Sequence, residues 1–164
     1  SMNIFMEHLL KGWHEKFCIE DAKFLFLVSY YTNNLFNQKD SSSIMKPQIK
    51  RFQTNNEYFF VEGCYINELS NHLEDSALSI ARARVEPGVT TQWHQLKETT
   101  ERYVILEGKG VLEIGDMDPQ NVQMGDVVII PACTRQRITN ICNEDLVFLA
   151  LCTPRFETDN YQSV

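Results

Sequence analysis

The sequence predicts an all-β domain, a sandwich or closed barrel, behind an N-terminal, partly helical extension. Three observations lead there. From Gln48 onward, short apolar and β-branched runs alternate with turn signals, and no long helical period interrupts them. The last run, Leu146–Cys152, is apolar on both parities, as a strand covered on both faces is. The chain has 164 residues, 43% of them apolar, enough for the core of one domain.

Residues 1–44 differ in texture from the rest. Phe5, Leu9, Trp13 and Phe17 recur at a spacing that places them on one face of a short helix. The run Phe24–Tyr31 reads as helix or strand, because a stretch that short does not decide. The polar, turn-prone segment NQKDSSS at 37–43 reads as a linker. A compact domain is therefore expected over 45–156, with 157–164 as a C-terminal tail. Expected strands are Tyr58–Glu62, Tyr65–Leu69, Leu78–Val85, Glu101–Glu107, Val111–Ile114, Val127–Ile130, Arg135–Asn140 and Leu146–Cys152. Turn signals at Glu86-Pro87-Gly88, Glu107–Gly110, Asp116–Pro119 and Gly125-Asp126 separate them. The outer cover of Leu146–Cys152 is expected from a second sheet, the N-terminal arm or a partner subunit, which makes a homodimer the expected assembly.

Charge and cysteine content narrow the function classes. A formal net charge of −7 argues against a nucleic-acid backbone or an anionic membrane surface as the main partner. The longest apolar run is far short of the ~20 residues of a membrane span, and no basic leader precedes it. The five cysteines are odd in number and lack C-x-x-C spacing, so they read as reduced thiols of a cytoplasmic protein.

The chemistry concentrates in Thr90–Gly110, TTQWHQLKETTERYVILEGKG. Gly88 is followed by five residues and His94; Glu101 follows, then six residues and Gly108. Gly125 is followed by five residues and Pro131, then Gln136 and Asn140. This spacing resembles the two motifs of the cupin superfamily, G-x5-H-x-H-x(3,4)-E-x6-G and G-x5-P-x-G-x2-H-x3-N. The resemblance implies a single jelly-roll β-barrel. It also implies a divalent metal (Zn, Mn, Fe or Ni), held here by His94, Glu101 and Gln136 and completed by water. Leu96 stands at the second histidine, Gln136 at the last histidine and Cys133 at the glycine of the second motif. Leucine has no lone pair, and an amide oxygen is a weaker donor than imidazole. Without a metal, His94, Glu101 and Gln136 hydrogen-bond one another in a polar barrel mouth, where His94 and Glu101 remain fit for catalytic proton transfer.

Strand alternation places Tyr103 and Ile105 inside with Glu101, and Ile138 inside with Gln136. Trp93 either stacks a ligand ring at the mouth or packs the rim. Arg82 and Arg84 share one face of their strand: solvated, or, if inward, forked donors for a phosphate or carboxylate. Arg102, Arg135 and Arg137 fall on the outer parity. The substrate pocket is thus expected to draw on Trp93, Tyr103, Arg82 and Arg84. The expected function is binding of a small molecule, a sugar or organic acid, in a degenerate cupin pocket. The alternative is a metal-dependent isomerase acting on a sugar phosphate. It follows from the strand Tyr103–Gly108 and the exit Cys152–Phe156, which resemble type II phosphomannose isomerases. A third reading makes the N-terminal arm the working end of a non-catalytic interaction protein.

Overall fold

The structure, a computed structural model, describes residues 45–164. The extension expected over 1–44 lies outside the described residues. All eight expected strands are present: β1 (Tyr58–Phe60), β2 (Cys64–Ser70), β3 (Ser79–Val85), β5 (Thr100–Glu107), β6 (Lys109–Ile114), β8 (Val127–Ile130), β9 (Gln136–Asn140) and β10 (Leu146–Thr153). Three further strands have no apolar run behind them: β4 (His94–Leu96), β7 (Gln120–Gln123) and β11 (Tyr161–Ser163). Each is short and largely polar, so its extended form comes from pairing with neighbours rather than from propensity.

The strands form two antiparallel sheets, one in the order β1-β2-β3-β10-β5-β8 and the other in the order β11-β4-β9-β6-β7. This is the jelly-roll architecture expected from the sequence. The segment 157–164 is not a free tail, because Tyr161, Gln162 and Ser163 pair with Leu96, Gln95 and His94. Period-two alternation fills the space between the sheets with Val85, Ile105, Leu112, Ile130, Ile138, Leu146 and Phe148. The outer side of β10 is only partly covered among the described residues: Val147 is buried, whereas Leu149 and Leu151 are half-buried. Beyond it, Val127 and Ile129 of β8 are 61% and 62% exposed.

The motif residues hold the frame. Gly108 has φ +81, and a Cβ there would lie 2.9 Å from the Asp145 carbonyl oxygen, so only glycine fits this turn. Asn140 is fully buried; its Nδ2 donates to the carbonyls of Val85 and Glu144, and its Oδ1 accepts from the Cys142 amide. It thereby satisfies a buried corner that no strand pairing reaches. Cys133, at the position of the motif's glycine, keeps the left-handed backbone with φ 60. The four described cysteines are unpaired thiols, Cys64 and Cys152 being buried. No helix among the described residues is long and apolar enough to cross a membrane.

Candidate functional site

β5 buries Glu101, Tyr103 and Ile105 on its inner face, and β9 buries Gln136, Ile138 and Asn140, as alternation predicts. β4 turns His94 and Leu96 inward in the same way. His94 is register partner to Gln136 in one sheet, and Glu101 is register partner to Cys152 in the other. The Gln136 Nε2 donates to Glu101 Oε2, a bond that crosses between the sheets. Two of the three expected ligands therefore meet.

The third does not join them. His94 lies with Nδ1 2.9 Å from the Gln92 carbonyl oxygen and Nε2 3.4 Å from Glu62 Oε1. Its ring stacks on Tyr161, with centroids 5.6 Å apart. Glu62 sits in the turn between β1 and β2, whose backbone oxygen accepts from the Gln92 amide at 2.7 Å. That bond ties the turn to the loop before β4 and brings the carboxyl to the imidazole. The Cys64 thiol lies 3.8 Å from Glu62 Oε2, and the Cys152 thiol 3.9 Å from Glu101 Oε1.

Burial governs the proton affinities here. It raises the Glu62 carboxyl to about 8, with the Glu101 charge adding to the rise. It raises Glu101 to about 7 against donors from Gln136, Tyr103 and Cys152 that pull the other way. Burial lowers His94, opposed by its bond to the Gln92 backbone. The Tyr103 hydroxyl is pushed far up by burial and then by the charges of Glu101 and Glu62. Glu62, Glu101 and Tyr103 line one shared space.

That space is a small, partly open cavity of about 70 Å³. Glu62, Glu101, Tyr103, Cys64 and Cys152 form one polar region of its lining, and Glu68, Asn71 and Ser79 supply further polar groups. Phe60, Ile66, Ala81, Ala83, Phe148 and Ala150 supply apolar wall. No lysine or arginine is among the described lining residues.

Three expected pocket residues lie elsewhere. Arg82 and Arg84 face out, because Ala81 and Ala83 take the inward parity of β3. They grip Glu57, with Arg84 Nη2 2.8 Å and Arg82 Nη1 3.4 Å from its oxygens. Trp93, next to His94 and so on the opposite face, lies beneath the guanidinium groups of Arg137 at 4.7 Å and Arg135 at 5.1 Å. Of the expected pocket side chains, Tyr103 alone lines the cavity.

The metal expected from the resemblance finds no matching donor set. Among the described residues, no group of three or more His, Cys, Asp or Glu side chains is placed to hold an ion. Glu101 is engaged by Gln136, His94 by Glu62, and Leu96 contributes no donor. Glu62 carries no motif signal: it lies ahead of the spaced residues, and only the pairing of β1 with β2 brings it inward. The sequence marks it by a single trace, the glycine after it, Gly63, with φ 90.

Comparison with known proteins agrees with this frame. The family profile described as Cupin domain matches residues 81–152. An uncharacterized protein of Methanocaldococcus jannaschii is 32% identical over 105 residues, which cover 63% of this chain and 83% of that protein. The oxalate decarboxylase of Bacillus subtilis is 30% identical over 104 residues, covering 61% of this chain and 26% of the decarboxylase. Among solved structures, the nucleoside dehydratase Pac13 of Streptomyces superposes with a TM-score of 0.59 at 16% identity, over 71% of this chain and 92% of that one. Spaced motif, two-sheet barrel and relatives agree: the chain belongs to the cupin superfamily.

Proposed function

We propose that this protein binds a small, uncharged, hydroxyl-rich molecule of the sugar class in the cavity between its sheets. One observation carries this reading: the described lining presents buried carboxyls and a phenol, and no lysine or arginine. An anion entering that space loses its water and finds no cation among the described lining residues, whereas a neutral polyol finds hydrogen-bond partners and apolar wall. Arg82 and Arg84, the cations expected to receive a phosphate, are engaged with Glu57 on the outer face. A metal-dependent isomerase of sugar phosphates would need both a phosphate cradle and a metal, and the described lining favours neither. The organic-acid reading has the oxalate decarboxylase relative in its support and the lack of a cation in the described lining against it.

A panel of neutral monosaccharides, their phosphates, oxalate and short dicarboxylates, tested by thermal shift and calorimetry near pH 7, decides between these readings. A neutral sugar at a hundred times its dissociation constant should stabilise the protein by about 2.7 kcal/mol. Tighter binding of a phosphate or of oxalate than of every neutral sugar ends the proposal.

A further inference from the structure

The outer face of the six-stranded sheet carries a second cavity, of about 360 Å³ against about 70 Å³ for the inner one. Strand register sets its floor. Asn67, Arg82 and Leu149 are cross-strand partners on β2, β3 and β10, and all three line it. One wall is the segment before β1, where Lys50, Arg51 and Phe52 reach the lining. Asn67, 2% exposed, ties that segment down: its Nδ2 donates to the Gln53 carbonyl oxygen at 2.8 Å. Leu69 and Leu106 join Leu149 on an apolar side. The cations set this space apart from the inner cavity. Lys50, Arg51 and Arg82 face it with Glu68 as the one acid of the described lining, in a chain of net charge −7. Arg82 keeps donors for a ligand, because Glu57 is satisfied mainly by Arg84. Arg84 gives Glu57 three bonds of 2.8, 3.1 and 3.2 Å, whereas Arg82 gives it one, from Nη1, at 3.4 Å. Beside that guanidinium lies the Phe52 ring, 55% exposed, with its centroid 5.9 Å from Arg82 Cζ.

We propose that this outer cavity binds a phosphate monoester with an aromatic or apolar body. Three cations against one acid suit a group that is mostly a dianion near pH 7. The Arg82 guanidinium offers a planar fork of N–H donors to the phosphate oxygens, and Lys50 and Arg51 add charge from the wall. The Phe52 ring and the three leucines receive the body of the ester. A bare phosphate ion would use the cations and leave that apolar side wet, so the body contributes to affinity and selects the ligand. The inner cavity has neither the cations nor this stacking face in its described lining. The two sites lie on opposite faces of one sheet and call for ligands of different charge, so neither reading depends on the other.

Calorimetry on the full-length protein near pH 7 uses phenyl phosphate, with inorganic phosphate and benzyl alcohol as the two halves of the ligand. Phenyl phosphate should bind more tightly than either half, and high salt should weaken it. Arg82→Gln should raise the dissociation constant about 10-fold, and Glu68→Gln, which removes the acid, should lower it about 3-fold. Lys50 is exposed, so Lys50→Gln tests the charge without touching the core and should raise the constant about 3-fold. Amide NMR shifts at Asn67, Leu69 and Leu149 should mark the place. Failure of phenyl phosphate to bind, binding no tighter than that of inorganic phosphate, or binding that leaves those three amides unmoved each overturns the proposal. Affinity undiminished in both Arg82→Gln and Lys50→Gln overturns it as well. A sugar phosphate held on this face is weakened by Arg82→Gln, whereas one held in the inner cavity is not, so the two readings fail separately.

Discussion

Glu57, just before β1, and Glu62, just after it, each face a nitrogen base, and their protons behave in opposite ways. The Arg84 guanidinium bonds Glu57 and holds its carboxyl below the usual range. Burial and the charge of Glu101 push Glu62 up to about 8. Burial and the presence or absence of a lasting cation explain the split. A guanidinium keeps its charge and retains contact with water, so it stabilises a carboxylate. A buried imidazole is pushed towards its neutral form, so it supplies no lasting cation to offset the burial that raises Glu62. Side-chain type alone therefore says little about charge; the wall of the barrel separates an ordinary acid from a proton store.

The largest test of this contrast is the pH dependence of stability. In the folded state Glu62 and Glu101 hold protons that the unfolded chain, with carboxyls near 4.5, has already released. Raised carboxyls stabilise least where they must ionise, so stability should fall as pH rises from about 4.5 through about 8 and recover on acidification. The expected fall is on the order of 3–5 kcal/mol, measured by urea unfolding at about pH 5 and about pH 8.5. Glu62→Gln should remove most of the slope, and a flat wild-type profile would break the comparison.

Next in size is Gln136→Leu, which removes the donor to Glu101. A loss of about 1–3 kcal/mol is expected, together with a further upward shift of the Glu101 titration. Carboxyl NMR reads the shift, and denaturant midpoints read the loss. Glu57→Gln should cost at most about 1 kcal/mol, shrink in high salt and leave sugar binding unchanged, since the pair it breaks is in contact with solvent. The smallest effect belongs to Trp93→Ala. Its ring lies under two outer arginines, so ligand affinity measured by calorimetry should not move.

The inner faces of β5 and β9 were legible because period two and the motif spacing agree: Glu101 with Tyr103, and Gln136 with Ile138. The orientation of Arg82 and Arg84 was not, because small alanines suit either face of a strand and the acid that claims the arginines, Glu57, sits in a polar stretch without pattern. Glu62 was hidden for a related reason. Its role depends on a turn of β1 and β2 lying over β4, a contact between segments far apart in sequence. The metal expectation followed from spacing that does preserve the frame. The donors themselves have other neighbours, Gln136 at Glu101 and Glu62 at His94, and Leu96 offers no lone pair.

β11 has a consequence for how this molecule fails. Its Tyr161 ring covers the His94 imidazole, and its backbone completes the edge beside it. A proteolytic cut after Phe156 would spare every residue of the matched segment and most of the barrel, yet it would bare the imidazole to water. The ring would then lose the burial that lowers its basicity. Such a clipped protein would keep the matched strands while opening the face that holds His94.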